Sequence, residues 1–397
     1  MALETTVIGP GESERGRLVS LDVFRGMTLA GMILVTDPGD YATTYWPLLH
    51  AKWNGPTPTD MIFPAFLVIA GVSMVFSFAS RLRGGGGESR LLLHVVWRCA
   101  LLILLGLLVN GFYEYDLHTI RIAGILQRIA VCYFAGALLY VGTWRISLRK
   151  RNRVIGGATM TLLVLYWALL KYWPVPGFGT GRLDSLGNAA AYMDRLVIGV
   201  RHMWAYGTTP GYGVTYDPEG VLSTLGALAT FLIGVLAGEW MRRNLSPQRK
   251  AAGLAIGGAC LVAVALALSR WMPLNKWMWT STFAVYSGGV ALLAFCLFFL
   301  VVDVKGWKRG TTLPLALGTN AIFAFVLSSV LTVMIGHGIH VAGRDGGRDT
   351  LRKWIYGHCF VPWLAPFHAS LVYAIAIVLL NVAIVYPLYR RRIFLRL

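Results

Sequence analysis

The chain alternates long apolar runs with shorter polar segments. A helix needs about 20 mostly apolar residues to cross a hydrocarbon core of about 30 Å. Runs of that order predict ten membrane-spanning helices, at residues 18–36, 61–80, 91–109, 122–142, 154–172, 221–241, 251–269, 280–302, 313–336 and 368–389. The pattern therefore predicts an all-α, polytopic membrane protein with an arm at residues 1–17 and a single transmembrane domain at 18–397.

Lys and Arg residues are spread unevenly over the segments between these runs. With the N-terminus inside, each of the six inner segments carries Lys or Arg residues, 21 in total, although most of these segments are short. The five outer segments are longer in total and hold fewer Lys and Arg residues. The positive-inside rule then predicts that both termini are cytoplasmic. Three long outer segments, at 37–60, 173–220 and 337–367, contain many Trp and Tyr residues, so we expect ordered outer loops.

The composition excludes several classes of protein. The 397 residues are 56% hydrophobic and only 14% charged, although the formal net charge is +18. Nucleic-acid-binding proteins carry their Lys and Arg on solvated faces and are less apolar, so no nucleic acid partner is expected. The five Cys residues form no CxxC motif. The histidines at 337, 340, 358 and 368 lack the carboxylate or thiolate spacing of a specific metal site, so no metal is expected.

The first predicted outer loop holds the densest group of residues that could carry chemistry. His50 is the side chain best suited to move a proton near neutral pH, and Asp37 or Asp60 could orient its ring. Asn54 could donate a hydrogen bond to a developing negative charge. A structural interpretation stays open. Aromatic residues flank His50 as in an interfacial belt, and capping the second helix could be the sole role of Asp60.

A few charged side chains fall inside the predicted spans, where they are costly and often functional. Arg25 and Arg98 would lie at similar depths, roughly 10 Å from the inner face, and could hold a phosphorylated ligand that enters from the cytoplasm. The alternative is an Asp22–Arg25 pair on one helix face and snorkelling of Arg98. Arg128, next to Gln127, lies nearer the outer face, where snorkelling explains it less well.

Six motifs, in order along the chain, resemble those of the heparan-α-glucosaminide N-acetyltransferase family and its bacterial members. They are LDVFRG at 21–26, HAKWNG at 50–55 with an aspartate at 60, GILQR at 124–128, DPEGVL at 217–222, PLNK at 273–276 continuing to the tryptophan at 279, and GTN at 318–320. The resemblance extends from about residue 17 to the C-terminus. The order of the motifs on a ten-helix frame is specific for the family and less specific for the substrate.

The resemblance implies a transmembrane acyltransferase that takes acetyl-CoA from the cytoplasm and acetylates an amino sugar on the outer side. The catalytic histidine of the family falls on His50, which would act as general base or as acetyl acceptor. The resemblance and the charges inside the predicted spans together lead us to expect that CoA binds to Arg25, Arg98, Arg128 and Gln127. Members of the family tend to have Asn where this chain has Thr36-Asp37, so Asp37 could take over as the orienting group, or acceptor choice could differ.

The expected acceptor-binding residues lie in three of the motifs. They are Trp53, Asp217, Glu219, Asn275 and Lys276. For the acidic pair a helix-start role is the alternative, since carboxylates favour helix N-termini. For the motif at 273–276 the alternative is a simple turn.

The expected partners are the lipid bilayer, acetyl-CoA and an amino-sugar or oligosaccharide acceptor, and a homodimer is left open. The expected location is a bacterial inner membrane with the site facing the periplasm, since the inner segments are short and basic and the outer segments lack an Asn-x-Ser/Thr sequon. A second hypothesis is an amino-sugar transporter that uses Asp22 and the intramembrane Arg residues.

Overall fold

The computed structural model describes residues 18–85, 87–342 and 347–395. The predicted arm at residues 1–17 lies outside the described residues. The described part contains thirteen α-helices. They are α1 Val19–Thr36, α2 Ile62–Arg83, α3 Glu88–Asn110, α4 Ile125–Gly142, α5 Leu148–Tyr172, α6 Ala189–Val197, α7 Thr224–Met241, α8 Pro247–Leu268, α9 Ser281–Phe298, α10 Thr312–Thr319, α11 Ala321–Val333, α12 Leu351–Ile355 and α13 Pro366–Arg390.

Ten helical segments are long and apolar enough to cross a membrane, which confirms the predicted number. Each overlaps one of the predicted runs. Several helices begin earlier than predicted. For example, α5 starts at Leu148 and includes the basic stretch at 149–153 that was expected to precede the span. The apolar run marks the part of a helix that suits a hydrocarbon core, whereas the helix itself continues into polar residues.

Helices α2 and α7 pack with their backbones in close contact. A Cβ atom added at Gly71 would lie 2.4 Å from the backbone oxygen of Phe231, and one added at Gly234 would lie 2.3 Å from that of Val68. Glycine at these positions therefore lets the two backbones touch, as small residues do between membrane helices. The largest buried cluster surrounds this pair and includes side chains from α2, α3, α4, α5, α7 and α9.

The ninth predicted span, at 313–336, is not one continuous helix. Helix α10 ends at Thr319, Asn320 has a non-helical backbone, and α11 begins at Ala321. The Asn320 side chain holds the backbone near the C-terminus instead, since its Nδ2 donates to the Ile393 oxygen at 3.2 Å and its Oδ1 accepts from the Leu395 nitrogen at 2.9 Å. The apolar run includes the GTN motif at 318–320, where the interruption falls, but its overall pattern predicts a single span; the candidate span in the structure is Ala321–Gly338.

Long connecting segments gather at one end of the bundle, which we call the loop end: residues 37–61, 111–124, 173–223, 269–280 and 339–365. They contain the short helices α6 and α12, four 3₁₀ turns at Tyr41–Thr43, Trp46–Leu48, Pro58–Met61 and Val200–His202, and two small antiparallel hairpins. The first hairpin pairs β1, Thr208–Thr209, with β2, Gly213–Val214, and the second pairs β3, His340–Ala342, with β4, Arg348–Thr350. The loop end is therefore built from defined elements, and it holds His50.

Candidate functional site

His50 and Asp60 form a hydrogen-bonded pair at the entrance to α2. The His50 Nδ1 lies 2.7 Å from the Asp60 Oδ1. The Asp60 side chain is fully buried, whereas 43% of the His50 side chain is exposed. Because a carboxylate only accepts hydrogen bonds, Nδ1 carries the proton in the neutral ring, and Nε2 keeps its lone pair. The pair thus presents a basic, nucleophilic nitrogen at the loop end.

The local sequence explains why Asp60 is held so firmly. Its second carboxylate oxygen, Oδ2, accepts from the Ala51 nitrogen at 3.2 Å, the Thr57 nitrogen at 2.9 Å and the Thr57 hydroxyl at 3.1 Å. Asp60 and Thr57 form a capping box around the 3₁₀ turn that leads into α2. Asp60 therefore combines the two roles that the sequence left open, since Oδ2 caps the turn and Oδ1 binds the histidine.

Lys276 approaches the same pair from the segment before α9. Its Nζ lies 3.0 Å from the His50 Nδ1, 3.3 Å from the His50 Nε2 and 3.7 Å from the Asp60 Oδ1. Only 10% of the Lys276 side chain is exposed. The ammonium also lies 4.7 Å from the ring centre of Trp277, which is a favourable cation–π distance. A lysine from far along the chain thus completes a His–Asp–Lys group.

The turn at 273–280 positions Lys276 by binding the loop of His50. Asn275 is fully buried, and its Nδ2 donates to the Trp53 oxygen at 2.9 Å and to the Asn54 Oδ1 at 3.0 Å. Its Oδ1 accepts from the Met278 nitrogen at 2.8 Å, which shapes the turn. Asn54 is therefore engaged in this contact. Trp279 takes a left-handed backbone conformation, with φ of 51°, which a residue with a Cβ adopts at a cost of roughly 1–2 kcal/mol.

Aromatic side chains line one flank of His50. The Trp277 ring packs edge-on against the imidazole at 5.6 Å and donates from its Nε1 to the Ala51 oxygen at 2.8 Å. Trp204 stacks on Trp277 at 5.6 Å, and Tyr216 meets both Trp277 and Trp53 edge-on. We call Trp53, Trp204, Tyr216 and Trp277 the aromatic wall. Flat apolar faces of this kind suit contact with the apolar face of a sugar ring.

An ion cluster on the segment before α7 lies close to this wall. The Arg121 guanidinium is bidentate to Asp217, at 3.0 and 2.6 Å, and also donates to Glu219. The Asp217 Oδ2 accepts from the Trp204 nitrogen at 2.8 Å, which ties the cluster to the wall. Charge-assisted bonds of this kind fix geometry as well as adding stability. Asp217 is buried and fully engaged, whereas Glu219 is near enough to act electrostatically on His50.

The electrostatic surroundings favour a neutral His50. Burial lowers the pKa of His50, the hydrogen bond to Asp60 opposes that shift, and the Lys276 charge lowers the pKa further. Burial also lowers the pKa of the Lys276 ammonium, against the nearby carboxylates of Asp60 and Glu219. A neutral imidazole with a free Nε2 can take a proton or attack a carbonyl carbon.

Asp37 lies in a different group of residues. Its Oδ2 accepts from the Thr332 hydroxyl of α11 at 2.9 Å. Burial raises its pKa to about 6, and Thr332 and the charge of Arg352 act in the opposite direction. The structure therefore brings Asp60 to the imidazole and places Asp37 with α11 and α12.

Arg25 joins three helices. Its Nη1 donates to the Asp22 Oδ1 at 2.8 Å and to the Gly318 oxygen at 3.2 Å, and its Nη2 donates to the Ser73 hydroxyl at 2.7 Å. The i,i+3 pair with Asp22 that the sequence offered as an alternative is thus present, together with contacts to α2 and α10.

Arg98, Arg128 and Gln127 carry buried N–H groups that have no hydrogen-bond partner among the described residues. Arg98 donates to the Tyr133 hydroxyl at 3.3 Å, and Arg128, which is 2% exposed, donates to the Gly220 oxygen at 3.0 Å. Within the described residues, the Arg98 Nε, the Arg128 Nε and Nη1 and the Gln127 Nε2 are buried and have no hydrogen-bond partner. A buried donor without an acceptor costs about 1–3 kcal/mol, so these atoms suit a ligand that brings acceptors.

Two residues of this region were not singled out from the sequence. Arg121 was counted only as an outer positive charge, although it binds two of the predicted acceptor residues across separations of 96 and 98 positions. Asp194, 1% exposed, accepts from the Val221 nitrogen at 2.8 Å just before α7. Neither residue belongs to a local motif, because its partners are distant along the chain.

Comparison with known proteins finds similarity to one group of enzymes. Residues 17–173 match a family model described as heparan-alpha-glucosaminide N-acetyltransferase, catalytic. The chain is 32% identical over 360 residues to a heparan-alpha-glucosaminide N-acetyltransferase of Mus musculus, which covers 80% of the chain and 54% of that relative. It is 31% identical over 350 residues to the protein of that name from Homo sapiens, which covers 78% of the chain and 52% of that relative. The chain thus spans about half the length of these curated relatives.

Proposed function

We propose that this chain, which is similar to heparan-α-glucosaminide N-acetyltransferases, transfers the acetyl group of acetyl-CoA to the amine of a glucosamine-type sugar. One observation carries the assignment of the reacting group. His50 is bonded through Nδ1 to the buried Asp60, and 43% of its side chain is exposed. A half-exposed imidazole with an oriented, unprotonated Nε2 is what acyl transfer from a thioester needs.

Two routes use the same nitrogen. In the first, the His50 Nε2 takes a proton from the acceptor amine, the amine nitrogen attacks the thioester carbonyl carbon, and the C–S bond breaks to release CoA thiolate. In the second, the Nε2 itself attacks that carbon, CoA thiolate leaves, and the amine then attacks the acetyl-imidazole. In both routes Asp60 stabilises the positive charge that develops on the ring.

We place acetyl-CoA next to the buried N–H groups that have no hydrogen-bond partner among the described residues. CoA brings phosphate oxygens and two amide carbonyls, all of which accept hydrogen bonds. Arg98, with a buried Nε that has no described acceptor, fits a phosphate group, and we place Arg25, on α1, at the same ligand. Gln127 and Arg128, at the start of α4, fit the carbonyls of the pantetheine arm.

We place the acceptor sugar along the aromatic wall, next to the exposed part of His50. The wall offers apolar faces for the sugar ring, and Glu219 offers a carboxylate within electrostatic range of the histidine. The positive-inside pattern supports an outer position for the loop end, which in our proposal is the periplasmic side of a bacterial inner membrane. Acetyl-CoA would then enter from the cytoplasm and react at the opposite face.

Substitution of His50 tests the proposal. We expect His50→Ala to abolish acetylation of glucosamine-type acceptors by the purified full chain while acetyl-CoA binding stays close to wild type. His118→Ala is the matched control, because His118 is exposed and lies in another loop. Undiminished turnover in His50→Ala would refute the assignment.

Labelled acetyl-CoA without acceptor separates the two routes. Radiolabel retained on His50 in the wild type and absent from His50→Ala would establish the acetyl-imidazole, and an unlabelled protein that still turns over would establish direct transfer. Uptake of a labelled amino sugar into liposomes without acetyl-CoA, with no acetyl transfer at all, would favour the transporter hypothesis instead.

A further inference from the structure

We propose that Lys276 is a positioning residue that holds His50 in its neutral form, so that acetyl transfer persists at a lower pH than it would without the lysine. This inference rests on the proposed function and extends it from the reacting group to its control. It assigns Lys276 an action on the histidine rather than the acceptor contact predicted from the sequence.

The position of the ammonium supports this role. Its Nζ lies at nearly equal distances from the two ring nitrogens of His50, 3.0 and 3.3 Å. Since the lone-pair axes of the two nitrogens point in different directions, an atom equidistant from both lies on neither axis. Nε2 is therefore not committed to a strong bond with Lys276, and it stays available to the substrate. What Lys276 contributes at this range is positive charge.

The groups that face His50 come from three other elements. Asp60, at the start of α2, favours the imidazolium through its hydrogen bond, and Glu219, before α7, favours it weakly because Arg121 neutralises much of its charge. Lys276, before α9, is the cation that opposes protonation. At 3.0–3.3 Å, two positive charges repel by more than the thermal energy even in a medium close to water. Without Lys276, only burial would oppose the two carboxylates in setting the protonation of the ring.

The turn makes this placement rigid. Asn275, the neighbour of Lys276, bonds to the Trp53 oxygen and the Asn54 side chain, and Trp277 bonds to the Ala51 oxygen. The residues on both sides of the lysine are thus fastened to the loop that carries His50. A lysine that merely covered the surface would not require such bracing. Fixed distance is what a steady electrostatic effect requires.

Peptide-resolved carbethoxylation measures the protonation of His50 without relying on acetyl transfer. Diethylpyrocarbonate reacts with the neutral imidazole, so the rate at His50, followed by mass spectrometry from pH 5 to 9 on the full chain, reports its titration midpoint. The variants are Lys276→Met, which keeps length and removes charge, and Lys276→Arg, which keeps charge. Lys52→Met, an exposed lysine on the same loop, is the matched control.

We expect the His50 midpoint to rise by about one pH unit or more in Lys276→Met, given the Coulomb interaction at this distance, and to stay near wild type in Lys276→Arg and Lys52→Met. Acetyl transfer by Lys276→Met should then fall about tenfold at pH values below the new midpoint and recover at higher pH. An unchanged midpoint in Lys276→Met, in protein that melts at the wild-type temperature, would overturn the inference. Protein that shows the shifted midpoint but acetylates nothing would instead count against the proposed function.

Discussion

Replacing Asp60 with Asn tests the architecture of the site with the smallest possible change of shape. The Asp60 carboxylate only accepts hydrogen bonds: the Oδ1 accepts from the His50 Nδ1, and the Oδ2 accepts from the Ala51 nitrogen and from the nitrogen and hydroxyl of Thr57. An amide offers one acceptor oxygen and one NH₂ donor. The NH₂ group of the asparagine must therefore face hydrogen-bond donors, either those of His50 or those of Ala51 and Thr57.

The structure decides which side that is. If the NH₂ faced Thr57, the backbone nitrogens of Ala51 and Thr57 would lose their acceptor, at about 1–3 kcal/mol for each buried donor. If it faced His50, the ring could adapt by moving its proton from Nδ1 to Nε2. Lys276 imposes no comparable penalty, because its Nζ is 3.7 Å from the Oδ1. A difference of about 2 kcal/mol or more populates the second arrangement by over tenfold.

The adapted ring has its proton on the wrong nitrogen. Nε2 then neither takes a proton from the acceptor nor attacks the thioester, and the charge that stabilised the imidazolium is also gone. We expect kcat to fall by about 10²- to 10⁴-fold, comparable to the loss when an orienting aspartate becomes asparagine in a hydrolytic triad. The fold should survive, since the capping bonds of Asp60 are retained in this arrangement.

The assay is acetyl-CoA consumption by the purified full chain with a glucosamine-type acceptor, together with the thermal melting temperature and acetyl-CoA binding. Asp40→Asn is the matched control, because Asp40 accepts from the Ala42 nitrogen at 3.0 Å and caps a 3₁₀ turn in the same loop. Turnover of Asp60→Asn within about threefold of wild type would refute the reasoning, since the tautomer argument predicts at least tenfold from population alone.

Two further predictions concern stability at the loop end. Burial raises the pKa of Asp194 to about 7 from 3.8, so the folded state binds the proton more tightly and stability should fall by up to about 4 kcal/mol as pH rises from 4 through 7. Asp194→Asn should remove this pH dependence, so that the variant melts at a higher temperature than wild type at pH 8 but not at pH 4. The same pH dependence of the melting temperature in both proteins would contradict the assignment. Arg121→Met leaves the buried Asp217 without its cation and should destabilise the fold by about 3–5 kcal/mol, which a lower melting temperature would report. Adding Asp217→Asn to the same chain should partly restore the melting temperature. An unchanged melting temperature in Arg121→Met would show that the pair is not structural.

The number and rough positions of the long helices could be predicted, because length and apolar content are properties of consecutive residues. The break at Asn320 could not, since it depends on bonds to the Ile393 oxygen and the Leu395 nitrogen more than seventy positions away. The boundaries also shifted where a helix continues into basic residues, as at Leu148.

The candidate site divides in the same way. His50 and Asp60 are ten positions apart, so one loop is enough to suggest that they meet. Asp37 is almost as near in sequence, and only the three-dimensional arrangement sends it to Thr332. The pairing of Lys276 with His50 spans 226 positions. No periodicity reports such a contact, which depends on how the helices pack.

That separation of 226 positions also sets an order of events during synthesis. At about 5–20 residues per second, the ribosome needs roughly 10–45 s to reach Lys276 after it has made His50. Throughout that interval the histidine and Asp60 exist in the growing chain without the lysine. The electrostatic setting of the imidazole is therefore completed late, when the turn before α9 docks on the first loop, and the maturation of the site is tied to closure of the whole bundle.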